Sequence, residues 1–386
     1  MTLYIGAGEA ARRLGVRRET LYAYVSRGVI QRRASVDGRT SLYAVDDIEQ
    51  LANRSRQRAP TPRPSIDVQI ASAITQLDEL ALSYRGVEVA ALSRQCSFEQ
   101  VAELLWSGTV PSSAVIWPGA DRADVDACVA AARGLGSAAS ALVALTAMIP
   151  VLAARHPADG PEGAARRFIW VASALSGAGV DGSIAERLAH AWHPDPTPEL
   201  VRAIDRALVL LADHELATST LAVRIATSVR TDAYAAFGAG LATLTGVLHG
   251  SSAAGAAALL ADAAEHGPVA AIRGVLDTGR RLSGFGHSVY RTGDPRLAPL
   301  LEAVRALPDP SGRYEIVDAV MREASGLIVA RPNVDFGLAA LSFVGGLDAD
   351  VPIFAVARVA GWAAHIEEEL LERPLRFRGV ARPPAS

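Results

Sequence analysis

The stretch Leu282–Arg296, LSGFGHSVYRTGDPR, gathers residue types that do chemistry in a setting no core helix would use. Each Gly costs a helix up to ~1 kcal/mol relative to Ala, and Pro costs more. Gly284 and Gly286 let the backbone bend tightly and bring the His287 imidazole close to a bound group. Arg291 and Arg296 offer planar, charged donors that match carboxylates or phosphates. The loop is written to hold an anion beside an imidazole.

Two more histidines have unusual surroundings. His214 sits in LADHELATST, and His249 sits in GVLHGSS at the break between two Ala/Gly-rich helices. Asp335 follows Pro332 and Asn333 in RPNVDFGLAAL, a carboxylate in an apolar context. Burial beside Phe336 is expected to raise its pKa and make it a better base. A neutral imidazole donating to a carbonyl stabilises an enolate. Together these groups suit proton abstraction next to a carbonyl, followed by carbon–carbon bond formation. The other histidines read differently. His156 precedes Pro157 in a loop-like stretch and is assigned no role. His190 and His193 have metal-like spacing, but Pro194 ends their helix and no third ligand is near, so no metal is expected. His266 closes a helix, where an imidazolium suits the dipole. His365 reads as a structural or surface position.

The elements that must position these groups are mostly helical. The chain has 386 residues, half apolar and a fifth charged, which predicts a soluble globular protein of more than one domain. All its basic residues are Arg, which reflects codon usage rather than function. Cys96 and Cys128 lack any paired spacing, so no disulfide framework is expected. The longest apolar run, Ser137–Ala154, contains Thr146 and Pro150 and reads as a core helix, not a membrane span. No secretory signal is recognised, so a cytoplasmic location is expected. From Ile66 onward, strand signals are scarce. Helical spacing recurs in Val101–Trp106, Pro161–Leu175, Pro198–Ala212, Ala217–Val229 and Pro352–Leu371, and predicts an all-α body with on the order of fifteen helices.

Charge divides the chain. Residues 1–65 carry 12 Arg against 6 acidic residues, while the remainder carries 26 Arg against 35. A basic module joined to an acidic body is predicted. The join, at residues 54–65, holds three prolines and reads as an extended linker. Gly6–Ala11 matches G-x-G-x-x-A, but no βαβ unit follows, which excludes a dinucleotide fingerprint. Residues 1–53 instead predict a helix, a turn at Gly15, a second helix with Leu21 and Val25 facing inward, a hairpin turning at Asp37-Gly38, and a closing helix from about Asp46. AARRLGVRRETLYAYVSRGVI and the hairpin resemble the winged helix-turn-helix of MerR and excisionase-type DNA-binding modules. That resemblance implies Arg17, Arg18, Thr20, Tyr22 and Tyr24 in a major groove, with Arg32, Arg33 and Arg39 on phosphates.

The body resembles the citrate synthase family. YRGVEVAALSRQCSFEQVAELLWSGTVP, DHELATST, LHGSS, GFGHSVYRTGDPR, PNVDF and FAVARVAGWAAHIEE follow in that family's order and rough spacing. The resemblance implies an all-helical homodimer, with a large domain of residues 66–249 and 335–386, a small domain of residues 250–334, and an active site between them. It implies oxaloacetate and acetyl-CoA as substrates and no cofactor beyond the CoA thioester. Asp335 resembles the base that removes a proton from the acetyl methyl group. His249 resembles the residue that stabilises the enol, and His287 the one that polarises the ketone and supplies its proton. His214, Arg296 and Arg358 match dicarboxylate binders. Arg376 matches an arginine lent across the dimer, with Arg373 close by, and Arg291 matches a contact to the CoA phosphates.

The sequence also departs from the family pattern. Ala217 stands where many members have Asn, SSAAG follows His249 in place of Gly-Ala-Asn-Glu, and Gly337-Leu338-Ala339 replaces Tyr-Ser-Gly. These changes leave open propionyl-CoA as substrate, giving 2-methylcitrate, and a citryl-CoA lyase direction. A transcriptional regulator that uses the fold as a metabolite sensor is the alternative from another class.

Overall fold

A computed structural model describes residues 4–14, 21–22, 24–25, 30–34, 41–45, 47–48, 68–78, 81–136, 138–175, 181–246, 252–287, 289–290 and 292–378. The chain divides into two compact units, Met1–Ile70 and Ala71–Ser386.

In the first unit, helix Ala7–Leu14 follows strand Tyr4–Gly6. Glu9 bonds Arg12 and Arg13 one turn on, which stitches the exposed side of this short helix. Ala10 and Ala11 face inward and pack with Leu21, Ile30, Tyr43 and Ile48, while Leu14, Tyr24 and Val25 border that core. Strands Arg32–Ala34 and Ser41–Ala44 pair antiparallel, as the hairpin reading expects. Strand Tyr4–Gly6, which the sequence pattern did not signal, joins on the other side, with Ile5 opposite Tyr43. Three residues are too few for a period-2 pattern to register. Gly15 and the Asp37-Gly38 turn lie outside the described residues, as does the linker at 54–65.

The second unit opens with a small antiparallel sheet, Thr75–Leu77, Leu82–Tyr84 and Val87–Glu88, a correction to the purely helical expectation. Arg85 and Gly86, both with left-handed φ, make the tight turn between the last two strands. Fifteen helices follow among the described residues. The segments read as helical from spacing match helices Phe98–Ser107, Pro161–Ala174, Pro198–Leu211, Thr218–Ser228 and Ile353–Leu370, four of them overhanging by one residue at one or both ends. Their boundaries follow local chemistry. Ser97 and Gln100 form a reciprocal capping box and Gly108 closes the same helix in the left-handed region. Pro161 and Pro198 open their helices, where the missing N–H costs nothing. The apolar run forms helix Ala141–Arg155, which buries Leu145, Met148, Ile149 and Leu152. No helix among the described residues is long and apolar enough to cross a membrane.

His156 is not idle, contrary to the sequence reading. Its Nε2 lies 2.8 Å from the buried Asp124 carboxylate, which Arg155 and Arg167 also bond.

Helix Ile353–Leu370 is the axis of the body. It packs on helices Phe98–Ser107, Pro161–Ala174, Pro198–Leu211, Thr218–Ser228 and Ala233–Leu244. Gly361 lets it touch the end of Pro198–Leu211, because its N–H donates to the Ala212 carbonyl at 3.0 Å. A Cβ at this position would collide with that carbonyl and with the Asp213 side chain. Gly361→Ala is therefore expected to destabilise the protein by ~1–3 kcal/mol, the usual range for overpacking. Denaturant unfolding checks this; unchanged stability would mean the contact is not tight.

Burial also shapes pH dependence. The Asp205 carboxyl accepts the Phe98 N–H at 2.9 Å, and burial, with Glu99 adding, pushes its pKa up to about 7. The folded protein thus holds a proton that the unfolded chain loses near the ordinary value of 3.8. This group's contribution is favourable below that value and is lost as pH rises toward about 7. Asp205→Asn keeps the acceptor and removes the charge. Its melting temperature is expected to exceed wild type at pH 8 and match it at pH 4; equal values at pH 8 would place the charge in a solvated setting.

Candidate functional site

The loop that opened the sequence reading is fastened to the segment carrying Asp335. Gly284 and Gly286 both have positive φ, and a Cβ on Gly284 would press on Phe336 and Ala256. The Gly286 N–H donates to Arg331 at 2.7 Å, the Asn333 N–H donates to Gly284 at 2.9 Å, and Phe285 bridges Pro332. The Asn333 side chain works in both directions. Its amide donates to the Gly286 carbonyl at 2.8 Å, and its oxygen caps Asp335 and Phe336 at 3.0 and 3.3 Å. Helix Val334–Gly345 therefore starts where its cap, Asn333, grips the glycines of the loop, with Asp335 in its first turn, where the dipole suits a carboxylate. Phe336 is fully buried, whereas Asp335 is only half-buried and faces a cavity, so the apolar surroundings expected of it cover one side.

That cavity has a volume of about 400 Å³ and is lined by His214, Glu215, His287, Arg296, Asp335 and Arg358, among others. The two imidazoles lie edge to face with centroids 5.3 Å apart. His287 Nδ1 faces the N–H groups of Val289 and Tyr290 at 3.1 and 3.3 Å. An Nδ1 that accepts these bonds leaves the proton of the neutral ring on Nε2. His214 Nε2 bonds the Tyr290 hydroxyl at 3.1 Å. Burial, then Arg296, then Arg358 hold His214 well below the ordinary imidazole value. Burial and Arg296 lower His287 in the same way. Both rings are therefore neutral near pH 7.

The guanidiniums are held differently. Arg296 pairs with Asp294 through two bonds of 2.8 and 2.9 Å, and burial opposes its charge less than Asp294 supports it. Asp294 also accepts the Val334 N–H at 3.0 Å, which ties Arg296 to the start of the Asp335 helix. Arg358 is 1% exposed and donates through Nε to the Leu211 carbonyl at 2.8 Å. Its Nη2 has no hydrogen-bond partner among the described residues, and its guanidinium lies 4.5 Å over the Phe354 ring. Burial lowers its pKa, with Asp213 partly offsetting this. A buried donor with no partner is costly unless a ligand supplies one. Two buried cations at one cavity suit a ligand with two carboxylates.

His214, His287, Arg296, Asp335 and Arg358 thus line one cavity. Arg376 does not line this cavity; it pairs with Glu369 at 2.8 Å. His249 and Arg291 lie outside the described residues, as do Arg17, Arg18, Thr20 and Arg39. In the N-terminal unit, Arg32 and Arg33 are exposed, Tyr22 is 51% exposed, and Tyr24 packs against the small core. His190 is exposed, and the His193 ring accepts the Asp195 N–H at 3.1 Å. Among the described residues no cluster of three His, Cys, Asp or Glu is arranged to hold a metal.

Residue-by-residue reading missed Asp294, Tyr290, Asn333 and Asp213. An acid two residues before Arg296 is well placed to pair with it, which is the signal that could have found Asp294. His365, read as a structural or surface position, is fully buried. It faces Asp213 at 3.4 Å, and Asp213 also accepts from Thr75 at 2.5 Å.

Chemistry next to a carbonyl, on a substrate bearing negative charge, is what such a cleft is suited to. A family model described as citrate synthase, C-terminal domain, matches residues 67–383. The chain is 30% identical over 327 residues to a citrate synthase of Haloferax volcanii, covering 75% of this chain and 86% of that one. It is 30% identical over 378 residues to a 2-methylcitrate synthase of Mycobacterium tuberculosis, covering 84% and 94%. A citrate synthase of Thermoplasma acidophilum, solved as a ternary complex with carboxymethyl coenzyme A and oxaloacetate, superposes with a TM-score of 0.66. It is 25% identical, over 83% of this chain and 95% of that one. The chain belongs to the citrate synthase family and is a citrate synthase-like enzyme.

Proposed function

We propose that the protein condenses acetyl-CoA with oxaloacetate and hydrolyses the resulting thioester to citrate and CoA. The observation that carries this reading is the meeting of a carboxylate, two neutral imidazoles and two buried guanidiniums at one cavity. Oxaloacetate sits with its carboxylates on Arg296 and Arg358, and His214 completes its seat. The Nε2–H of His287 donates to the ketone oxygen. Asp335 removes a proton from the acetyl methyl group, and His249 stabilises the enol through the thioester oxygen. The enol carbon then bonds to the ketone carbon, whose oxygen takes the proton from His287. Water finally cleaves the thioester. Arg291 holds the CoA phosphates. The thioester supplies the acidity that the reaction needs, so no resident cofactor enters it.

The test is CoA release from purified protein with oxaloacetate and either acetyl-CoA or propionyl-CoA. Turnover with acetyl-CoA supports the reading; turnover with propionyl-CoA alone moves it to 2-methylcitrate formation. Release of acetyl-CoA from citryl-CoA, without the forward reaction, would favour the lyase direction.

A homodimer is part of this proposal. Ile225, Val229, Leu371 and Leu375 are exposed apolar side chains on segments that the Leu375 N–H to Ser228 bond brings together. Arg376 lies beside them and would reach a partner's cleft. The large and small domains, residues 66–249 with 335–386 and residues 250–334, would close over the substrates.

For the N-terminal unit we infer a winged helix-turn-helix that binds duplex DNA. Its basic charge and the exposed Arg32 and Arg33 support this. Full-length protein is expected to bind duplex DNA with an affinity that falls steeply with salt. Absence of binding at low salt would leave the unit without that role.

A further inference from the structure

A second cavity, of about 330 Å³, shares a wall with the cleft, because Phe354 lines both. Its lining is mostly small and apolar, including Leu244, Ala253, Ala254, Leu338, Ala339 and Ile353. Two helices run from one cavity to the other. Helix Val334–Gly345 presents Asp335 to the cleft, and Leu338, Ala339 and Ser342, three, four and seven residues on, line the second cavity. Helix Ile353–Leu370 presents Arg358 to the cleft, and Phe354 and Ala355, one turn earlier, line the second cavity.

We propose that this cavity takes the hydrocarbon chain of an acyl-CoA longer than propionyl-CoA, so that the enzyme acts on short- to medium-chain acyl thioesters. This deepens the synthase reading and rests on it. In this proposal a chain leaving the carbon beside Asp335 passes Phe354, the residue the two linings share, to reach the alanine-lined space. The reaction keeps its balance. Asp335 takes one proton from the carbon next to the thioester, and that carbon bonds to the ketone carbon of oxaloacetate. The ketone oxygen becomes a hydroxyl. Water then cleaves the thioester to free CoA and a 2-alkylcitrate. Each buried methylene is worth ~0.8 kcal/mol, roughly a four-fold gain in kcat/KM per added carbon.

The test uses full-length protein, saturating oxaloacetate, and acetyl-, propionyl-, butyryl- and hexanoyl-CoA, with CoA release and product mass as readouts. Rising kcat/KM with chain length is expected. Ala254 is exposed at the rim, so Ala254→Trp fills the cavity without overpacking the core. This variant is expected to lose ten-fold or more on hexanoyl-CoA and to stay within two-fold of wild type on acetyl-CoA. Turnover of acetyl-CoA with none of the four- and six-carbon thioesters overturns the inference and leaves the synthase reading standing. Equal loss on every chain length in Ala254→Trp also overturns it. No turnover with any thioester removes both readings.

Discussion

Asp335→Asn is expected to lower kcat by ~10²–10⁴-fold, the range typical of a general base, while leaving the melting temperature close to wild type. The amide is isosteric with the carboxylate but cannot take a proton. The cap that fixes this helix start comes from Asn333, not from Asp335, so the substitution leaves the cap in place. Steady-state CoA release and thermal melting, measured on the same preparation, check both halves. Near-wild-type turnover would remove Asp335 from the role of base. A large drop in melting temperature would make it a structural acid instead.

The second large effect is on stability. Asp294 pairs with Arg296 at 6% and 3% exposure, and also accepts the Val334 N–H. Asp294→Ala would leave a guanidinium buried without its partner. Breaking such a pair costs ~3–5 kcal/mol, roughly 10 °C in melting temperature. The pair also fixes pH behaviour. Burial opposes the Asp294 charge, but Arg296 outweighs it and holds this carboxyl below the usual carboxylate range. Its contribution is full above the ordinary value of 3.8 and fades as pH falls below it. Added oxaloacetate is expected to restore part of the loss in Asp294→Ala, because a dicarboxylate supplies the missing negative charge. A melting temperature within one or two degrees of wild type would show that Arg296 is solvated, contrary to its burial.

The helices were legible because their signals are long. Ala, Leu and Val at helical spacing over ten or more residues mark a buried face, as in Pro198–Leu211 and Ile353–Leu370. The strands at Thr75–Leu77 and Leu82–Tyr84 were not, because three residues carry no period. What holds them is tertiary: the Tyr84 hydroxyl donates to the Asp213 carbonyl at 2.9 Å, far along the chain. The site divides the same way. His214, His287, Arg296 and Asp335 stood out because each interrupts an apolar or glycine-rich context. Asn333 and Asp294 did not, because their importance lies in bonds to Gly286 and Val334 that only the closed loop creates. His156 shows the converse, since a loop-like neighbourhood hid a contact with an acid far from it in sequence.

A crystal structure of the protein with oxaloacetate tests the central claim most directly. The account predicts one carboxylate on Arg296, the other on Arg358 through the Nη2 that has no partner among the described residues, and the ketone oxygen within about 2.6–3.2 Å of His287 Nε2. Oxaloacetate bound elsewhere, or bound here with its ketone turned away from His287, would contradict it.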